Sequence, residues 1–108
     1  MKNTIRIQVV FTSNTTAEKL LEGMSTLYNA EYNMKLDDGL ALLSKEFDEI
    51  PSDIPFFEGA TTFVTRFVDG WPEQEVYHTS KGWVTTGGFD PIPELMQLPP
   101  HPAGWEKV

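Results

Sequence analysis

The segment LDDGLALLSKEFDEI, residues 36–50, carries the clearest periodic pattern in the chain. Its large apolar residues are four, three, four and three positions apart, at Leu36, Leu40, Leu43, Phe47 and Ile50. That spacing would place all five side chains on one side of an α-helix. Asp37 or Asp38 would cap the helix at its start, and Pro51 would end it. The pattern therefore predicts an acidic helix over residues 36–50.

Two elements are predicted ahead of this helix. Residues 4–12 alternate apolar with polar or mixed positions, which is typical of a β-strand. Thr15 and Glu18 have the spacing of a capping box, so a first helix is expected over residues 16–29 with Thr15 as its N-cap. Gly23 weakens that helix but would allow close packing against a neighbour. Residues 29–35 are expected to form a connection.

The second half of the chain favours strands. Residues 60–69 fit helical spacing too, but their threonines, valines and phenylalanines favour a strand, placed centrally in the sheet. The Asp69-Gly70 dipeptide predicts a turn. Residues 74–79 and 83–86 then form a predicted hairpin.

The element order β-α-α-β-β-β predicts a small α+β domain over residues 1–90. We expect an antiparallel-dominated sheet of about four strands with two helices on one face. Residues 91–108 contain five of the eight prolines and form a Pro-rich tail, either packed on the domain or partly mobile. Within it, residues 94–98 could form a short helical piece after Pro93, and Trp105 would pin the tail to the domain.

Composition narrows the class of protein. A chain of 108 residues fits one domain. There is no cysteine, which excludes disulfides and thiolate chemistry and fits a cytoplasmic location. No apolar run approaches the ~20 residues of a membrane span, and no signal peptide is predicted at the N-terminus.

The negative charge is concentrated in the middle of the chain. Residues 37–75 have a net charge of −8, equal to that of the whole protein, whereas residues 1–36 have +1 and residues 76–108 have −1. A negative field repels phosphate backbones, so direct binding to nucleic acid is not expected. The same field would attract a basic protein surface.

Catalytic and metal chemistry finds little support in the sequence. The turn after the first strand lacks the glycines of a phosphate-binding loop. The two histidines, His78 and His101, have no metal-ligand spacing, and His78 is expected at a surface or strand edge. The cluster of Asp48, Glu49 and Asp53 lacks the pattern of a calcium loop. No catalytic residue, metal site or cofactor is predicted, and no stretch matches a family signature.

These observations favour a small acidic binding protein without catalytic activity. It would be an inhibitor or regulator that docks on a basic, nucleic-acid-binding partner as a nucleic-acid mimic, as some phage and mobile-element proteins do. The predicted partner-binding residues are Asp37, Asp38, Glu46, Asp48, Glu49, Asp53, Glu58, Trp71 and Trp83. One alternative is a subunit or adaptor that forms a homodimer or heterodimer through its sheet edge or an aromatic face. Another is a small enzyme or ligand-binding domain with a pocket near His78.

Overall fold

Six β-strands form one sheet in the computed structural model of the chain, which describes residues 2–12, 15–57, 59–79 and 82–96. The strands are β1 (Asn3–Phe11), β2 (Asn33–Asp37), β3 (Leu40–Phe47), β4 (Ala60–Val68), β5 (Trp71–Thr79) and β6 (Gly82–Thr85). The helices are α1 (Ala17–Asn29) and α2 (Pro93–Met96). The strand order is β2-β3-β1-β4-β5-β6, and every neighbouring pair is antiparallel.

The core lies on one face of this sheet. Because side chains alternate along a strand, β1 directs every second residue into the core, namely Ile5, Ile7, Val9 and Phe11. Strands β3 and β4 flank β1 and add Leu43 and Val64 to the same face. Helix α1, residues 50–57 and residues 92–95 supply the apolar side chains that cover it.

The predicted fold class is wrong, because the protein is mostly sheet with two short helices rather than a four-stranded α+β domain with two helices on one face. The predicted helix over residues 36–50 does not exist. Asp38 and Gly39 both have positive φ, 52° and 77°, which matches the two-residue turn of a β-hairpin. The segment therefore contributes the end of β2, a turn and the whole of β3. Residues 33–35, expected to be part of the connection over residues 29–35, form the first part of β2.

Several predictions for the strands are confirmed. Residues 4–12 correspond to β1, and residues 60–69 to β4, which lies between β1 and β5 as a central strand should. The Asp69-Gly70 turn has φ values of 50° and 87° and joins β4 to β5. The predicted hairpin is formed by β5 and β6, with β5 beginning three residues earlier than expected.

The first helix is present, with its N-cap shifted by one residue. The hydroxyl of Thr16, rather than that of Thr15, accepts a hydrogen bond from the backbone N–H of Lys19. Thr15 instead donates its hydroxyl hydrogen to the carbonyl of Gly59, which ties the start of α1 to the start of β4. The expected close packing at Gly23 is confirmed, since this glycine lies against the ring of Phe11.

The segment assigned to the Pro-rich tail begins inside the core. Ile92 and Leu95, from the residues around α2, are almost fully buried. The remaining tail, residues 97–108 with His101 and Trp105, lies outside the described residues. Within the described part of the chain, neither helix has the length and hydropathy needed to cross a membrane.

Candidate functional site

A cleft of about 950 Å³ opens beside the covered face of the sheet. It lies at the end of the sheet where β1 begins and β3 finishes, between the loop after β3 and helix α2. Its apolar lining comprises Ile5, Ile50, Ile54, Phe56, Trp83 and Leu95. A cavity of this size with a mostly apolar wall and a few polar groups is the usual form of a ligand site.

The loop after β3 makes the outer wall of the cleft. Phe47 is the last residue of β3 and pairs with Ile5, so the chain leaves the sheet beside the start of β1. Pro51 and Pro55 cannot donate backbone hydrogen bonds to a strand ladder, which keeps residues 48–57 out of the sheet. The far end of the loop is fixed to β4 by a 2.8 Å hydrogen bond from the Thr62 hydroxyl to the Pro55 carbonyl.

Three aromatic rings form the deep wall of the cleft. His78 on β5 lies directly opposite Trp83 on β6, with ring centroids 5.0 Å apart. Phe56 of the loop contacts both rings, at 4.4 Å from His78 and 6.0 Å from Trp83. His78 is buried, so the expectation of a surface or edge histidine is wrong. The face of β5 that carries His78 is the covered face of the sheet.

A hydrogen-bonded group of polar side chains closes the α2 side of the cleft. Arg66 of β4 donates to the Gln74 side-chain oxygen at 3.0 Å and to a carboxylate oxygen of Glu94. Gln74 in turn donates to the Pro91 carbonyl at 2.7 Å. The hydrogen bond from Arg66 is the main cause that lowers the pKa of Glu94 from its ordinary value of 4.5. The positive charge of Arg66 is therefore already balanced within the wall.

Three carboxylates of the loop after β3 line the cleft: Asp48, Glu49 and Asp53. All three are exposed, and no lysine or arginine in the described part of the chain forms an ion pair with them. With Glu94 and Arg66 included and His78 neutral, the cleft lining has a net charge of −3. Asp53 also acts on Tyr32, whose pKa rises to about 12, first because of burial and second because of this negative charge.

The other predicted acidic residues do not join this group. Asp37 and Asp38 lie at the opposite end of the sheet, in and beside the turn between β2 and β3. Glu46 pairs in register with Arg6, on the face of the sheet that the core does not occupy. Glu58 lies outside the described residues. The predicted acidic surface is thus divided, and among its described residues only Asp48, Glu49 and Asp53 line the cleft of about 950 Å³.

The two tryptophans predicted as partner-binding residues have different environments. Trp71, beside the turn between β4 and β5, has 73% of its surface exposed. Trp83 has 9% of its surface exposed and lies in the deep wall of the cleft, beside Phe56 and His78.

Sequence reasoning missed Phe56, Arg66 and Glu94 as residues of this cleft, and it named His78 only in the ligand-binding alternative. They come from the loop, β4, β5 and α2, and only the pairing of the strands brings them together. The available signals were the Phe56-Phe57 pair directly after Pro55 and an arginine within an otherwise uncharged strand.

The cleft is suited to bind a group that combines a positive charge with an apolar body. Among the described residues, no set of three histidine or carboxylate side chains is arranged to hold a metal ion.

Comparisons of the chain with protein-family models, with curated proteins and with solved structures found no match.

Proposed function

We propose that the protein is a non-catalytic binding protein whose cleft takes a basic segment of a partner protein. The observation that carries this proposal is the group of three carboxylates, Asp48, Glu49 and Asp53, which line the same cleft as the aromatic wall and form no ion pair with a lysine or arginine of the described chain. An arginine or lysine side chain would place its charge at the mouth and its methylene stem, or an adjacent apolar residue, against Phe56 and Trp83.

Physical chemistry favours such a ligand on two counts. Carboxylates around a concave, apolar cavity focus the negative potential at its mouth, which concentrates cations there and speeds association. A cation that reaches the wall also meets the faces of Trp83 and Phe56, and this contact contributes ~0.5–2 kcal/mol depending on desolvation. A phosphate or carboxylate ligand would meet repulsion at the same place.

The net charge of the whole chain favours a particular kind of partner for this cleft. A net charge of −8 favours docking on a strongly basic surface, such as one that holds nucleic acid, and the protein would then act as its inhibitor or regulator. The separation of Asp37 and Asp38 from the cleft narrows the docking surface to the carboxylates at the mouth. The lack of cysteine supports a cytoplasmic setting for this interaction.

A second candidate function uses the same cleft for a small organic cation. The volume of about 950 Å³ favours it, because ligand cavities of proteins typically range from ~300 to 1,000 Å³. This is the ligand-binding alternative that the sequence left open. The buried His78 in the wall of the cleft is consistent with it.

A peptide-binding experiment tests the proposal. The triple variant Asp48→Asn, Glu49→Gln, Asp53→Asn is compared with Glu22→Gln, Glu31→Gln, Glu73→Gln, which changes the net charge equally, from −8 to −5, at exposed sites away from the cleft. The probe is a fluorescent peptide of alternating arginine and leucine, and a glutamate–leucine peptide serves as the negative probe. Fluorescence in a Trp71→Phe, Trp105→Phe background, where Trp83 is the one tryptophan left, reports whether the cleft is occupied.

We expect the cleft variant to lose about tenfold or more in affinity and the control to stay within about twofold. Affinity should also fall steeply as salt rises from about 0.05 to 0.5 M. Equal losses in the two variants would overturn the proposal, because net charge alone would then explain binding. If benzyltrimethylammonium changes Trp83 fluorescence and the peptide does not bind, the small-cation function replaces it.

A further inference from the structure

The exposed side of β2 and α1 carries an unusual amount of apolar surface. Leu21 and Tyr28 on α1 are 68% and 76% exposed, and Met34 and Leu36 on β2 are 55% and 70% exposed. These four are a majority of the large hydrophobic residues that are exposed in the described chain. Every residue of β2 is exposed, and β2 is an edge strand.

The four side chains lie on the same side of the molecule. Met34 and Leu36 pair with Leu43 and Ala41, which both belong to the buried face of the sheet, so they point to the side that α1 covers. Met24 of α1 lines a shallow cavity of about 340 Å³ together with Leu36. Leu21 and Tyr28 are three and four residues from Met24, so they continue the same flank of the helix. We call these four residues the β2 patch.

The backbone of β2 presents free hydrogen-bonding groups at this edge. Asp37 and Leu40 flank the two-residue turn and pair with each other, and the residues that flank such a turn exchange both backbone hydrogen bonds. The backbone N–H and C=O groups of successive residues point to alternate sides of a strand. Those of Asp37 point toward β3, so those of Leu36 and Met34 point away from it. No proline and no bulge interrupts this edge, although these are usual protections against edge pairing.

We propose that β2 pairs antiparallel with β2 of a second copy of this chain, with the two-fold axis at Leu36. In that register Leu36 faces Leu36 of the other copy, and their outward N–H and C=O groups form two hydrogen bonds. Lys35 then lies opposite Asp37 of the second copy, and Asp37 opposite its Lys35. Opposite charges in cross-strand positions stabilise a sheet, whereas like charges destabilise it.

The charges on β2 favour the register centred on Leu36 over the register centred on Lys35. Side-chain alternation permits shifts of the two-fold axis by whole residues only, because facing residues must point to the same side. An axis at Lys35 would place the two lysines directly opposite each other, at the closest approach of the strands. The edge of β2 is therefore complementary to itself around Leu36. Such complementarity is what a two-fold interface requires.

Dimerisation in this way would cover the β2 patch and join the two sheets into one of twelve strands. The patch and the acidic cleft share no residue and lie at different places on the sheet. The dimer and the binding function can therefore be confirmed or lost independently of each other.

Sedimentation equilibrium of the full chain tests the association. We expect the mass to rise from 12.2 kDa toward twice that value as concentration increases to about 0.5 mM. Leu36→Arg should weaken dimerisation by about tenfold or more. The matched variant Val84→Arg, on the edge strand β6 where Val84 is also exposed, should leave it unchanged. A chain that stays monomeric, or a dimer insensitive to Leu36→Arg, overturns the proposal.

A charge exchange tests the register itself. Lys35→Asp and Asp37→Lys each place like charges opposite one another across the two-fold axis, and each should weaken dimerisation by about fivefold or more. The double variant restores opposite charges and should recover most of the original affinity. Circular dichroism of each variant checks that the fold is retained. Failure of the double variant to recover affinity while remaining folded would overturn the proposed register.

Discussion

Gly23 of α1 is buried against the ring of Phe11 so closely that a Cβ atom on the glycine would lie 2.7 Å from two ring carbons. Alanine favours the helix by ~1 kcal/mol over glycine, but here the added methyl must displace Phe11 or lift the helix. We expect Gly23→Ala to lower the free energy of unfolding by ~1–3 kcal/mol, measured by urea denaturation. Ser25→Ala, at an exposed site of the same helix, should change it by less than ~0.5 kcal/mol. A more stable Gly23→Ala variant would contradict this packing.

Substitutions at two glycines in open surroundings measure the effect of backbone strain apart from the effect of packing. Neither Gly39 nor Gly87 has a neighbour within 4 Å of the place where a Cβ would lie, but only Gly39 has positive φ, at 77°. Gly39→Ala should therefore cost ~1–2 kcal/mol through strain in the turn between β2 and β3. Gly87→Ala should be neutral or stabilising by up to ~1 kcal/mol. Equal effects in thermal or urea denaturation would argue against the turn geometry.

The same dipeptide explains both the success and the failure of the sequence predictions. Asp69-Gly70 was interpreted as a turn, and it joins β4 to β5. Asp38-Gly39 has the same backbone conformation, but it lies inside a run of leucines whose spacing also fits a helix. Aspartate and glycine at positive φ are a strong hairpin signal, and a single turn of this kind outweighs five apolar residues at helical spacing.

The candidate site was predictable only in part, for a different reason. The cluster of Asp48, Glu49 and Asp53 was visible as local negative charge in the sequence. The wall that gives those carboxylates a cavity consists of Phe56 from the loop and of His78 and Trp83 from the hairpin of β5 and β6, which follows much later in the chain. Phe56 meets the two rings because its loop leads into β4 and β4 pairs with β5. The strands were predicted from the sequence, but residue types within each strand did not specify this pairing.

Tyr32 should be visible as a late component in an alkaline titration followed by absorbance. Its pKa is raised to about 12 by burial and by Asp53, so it ionises well above the ordinary value of 10. Because the raised pKa belongs to the folded state, the neutral ring stabilises the fold below pH 10, and that contribution is lost as the pH rises toward 12. Tyr32→Phe should remove this spectral component and the associated loss of stability. A Tyr32 that titrates at its ordinary value would contradict the burial.

Glu94 should make a small contribution to the free energy of unfolding, with a pH dependence opposite to that of Tyr32. Its pKa is lowered in the folded state by Arg66, so the contribution is present above pH 4.5 and is lost as the pH falls through the lowered value. The Glu94 side chain is more than half exposed, and solvent screening keeps the effect below ~1 kcal/mol.

The comparison of wild type with Glu94→Gln checks this pH dependence. The difference in unfolding free energy should shrink as the pH falls from 7 toward about 3. In an Arg66→Gln background the same substitution should show a weaker pH dependence, because Arg66 is the main cause of the lowered pKa. A difference that is constant with pH would show that Glu94 acts through packing rather than charge.

The position of β1 has a consequence for how the chain is made. This strand is synthesised first, yet it lies between β3 and β4 and contributes four of the most buried side chains. On the ribosome, one edge of β1 must remain without its partner until residue 68 has emerged, because β4 supplies that partner. An apolar strand left open for so long is exposed to wrong pairing. Folding of this protein in the cell therefore depends on how well its first nine-residue strand is shielded while the rest is translated.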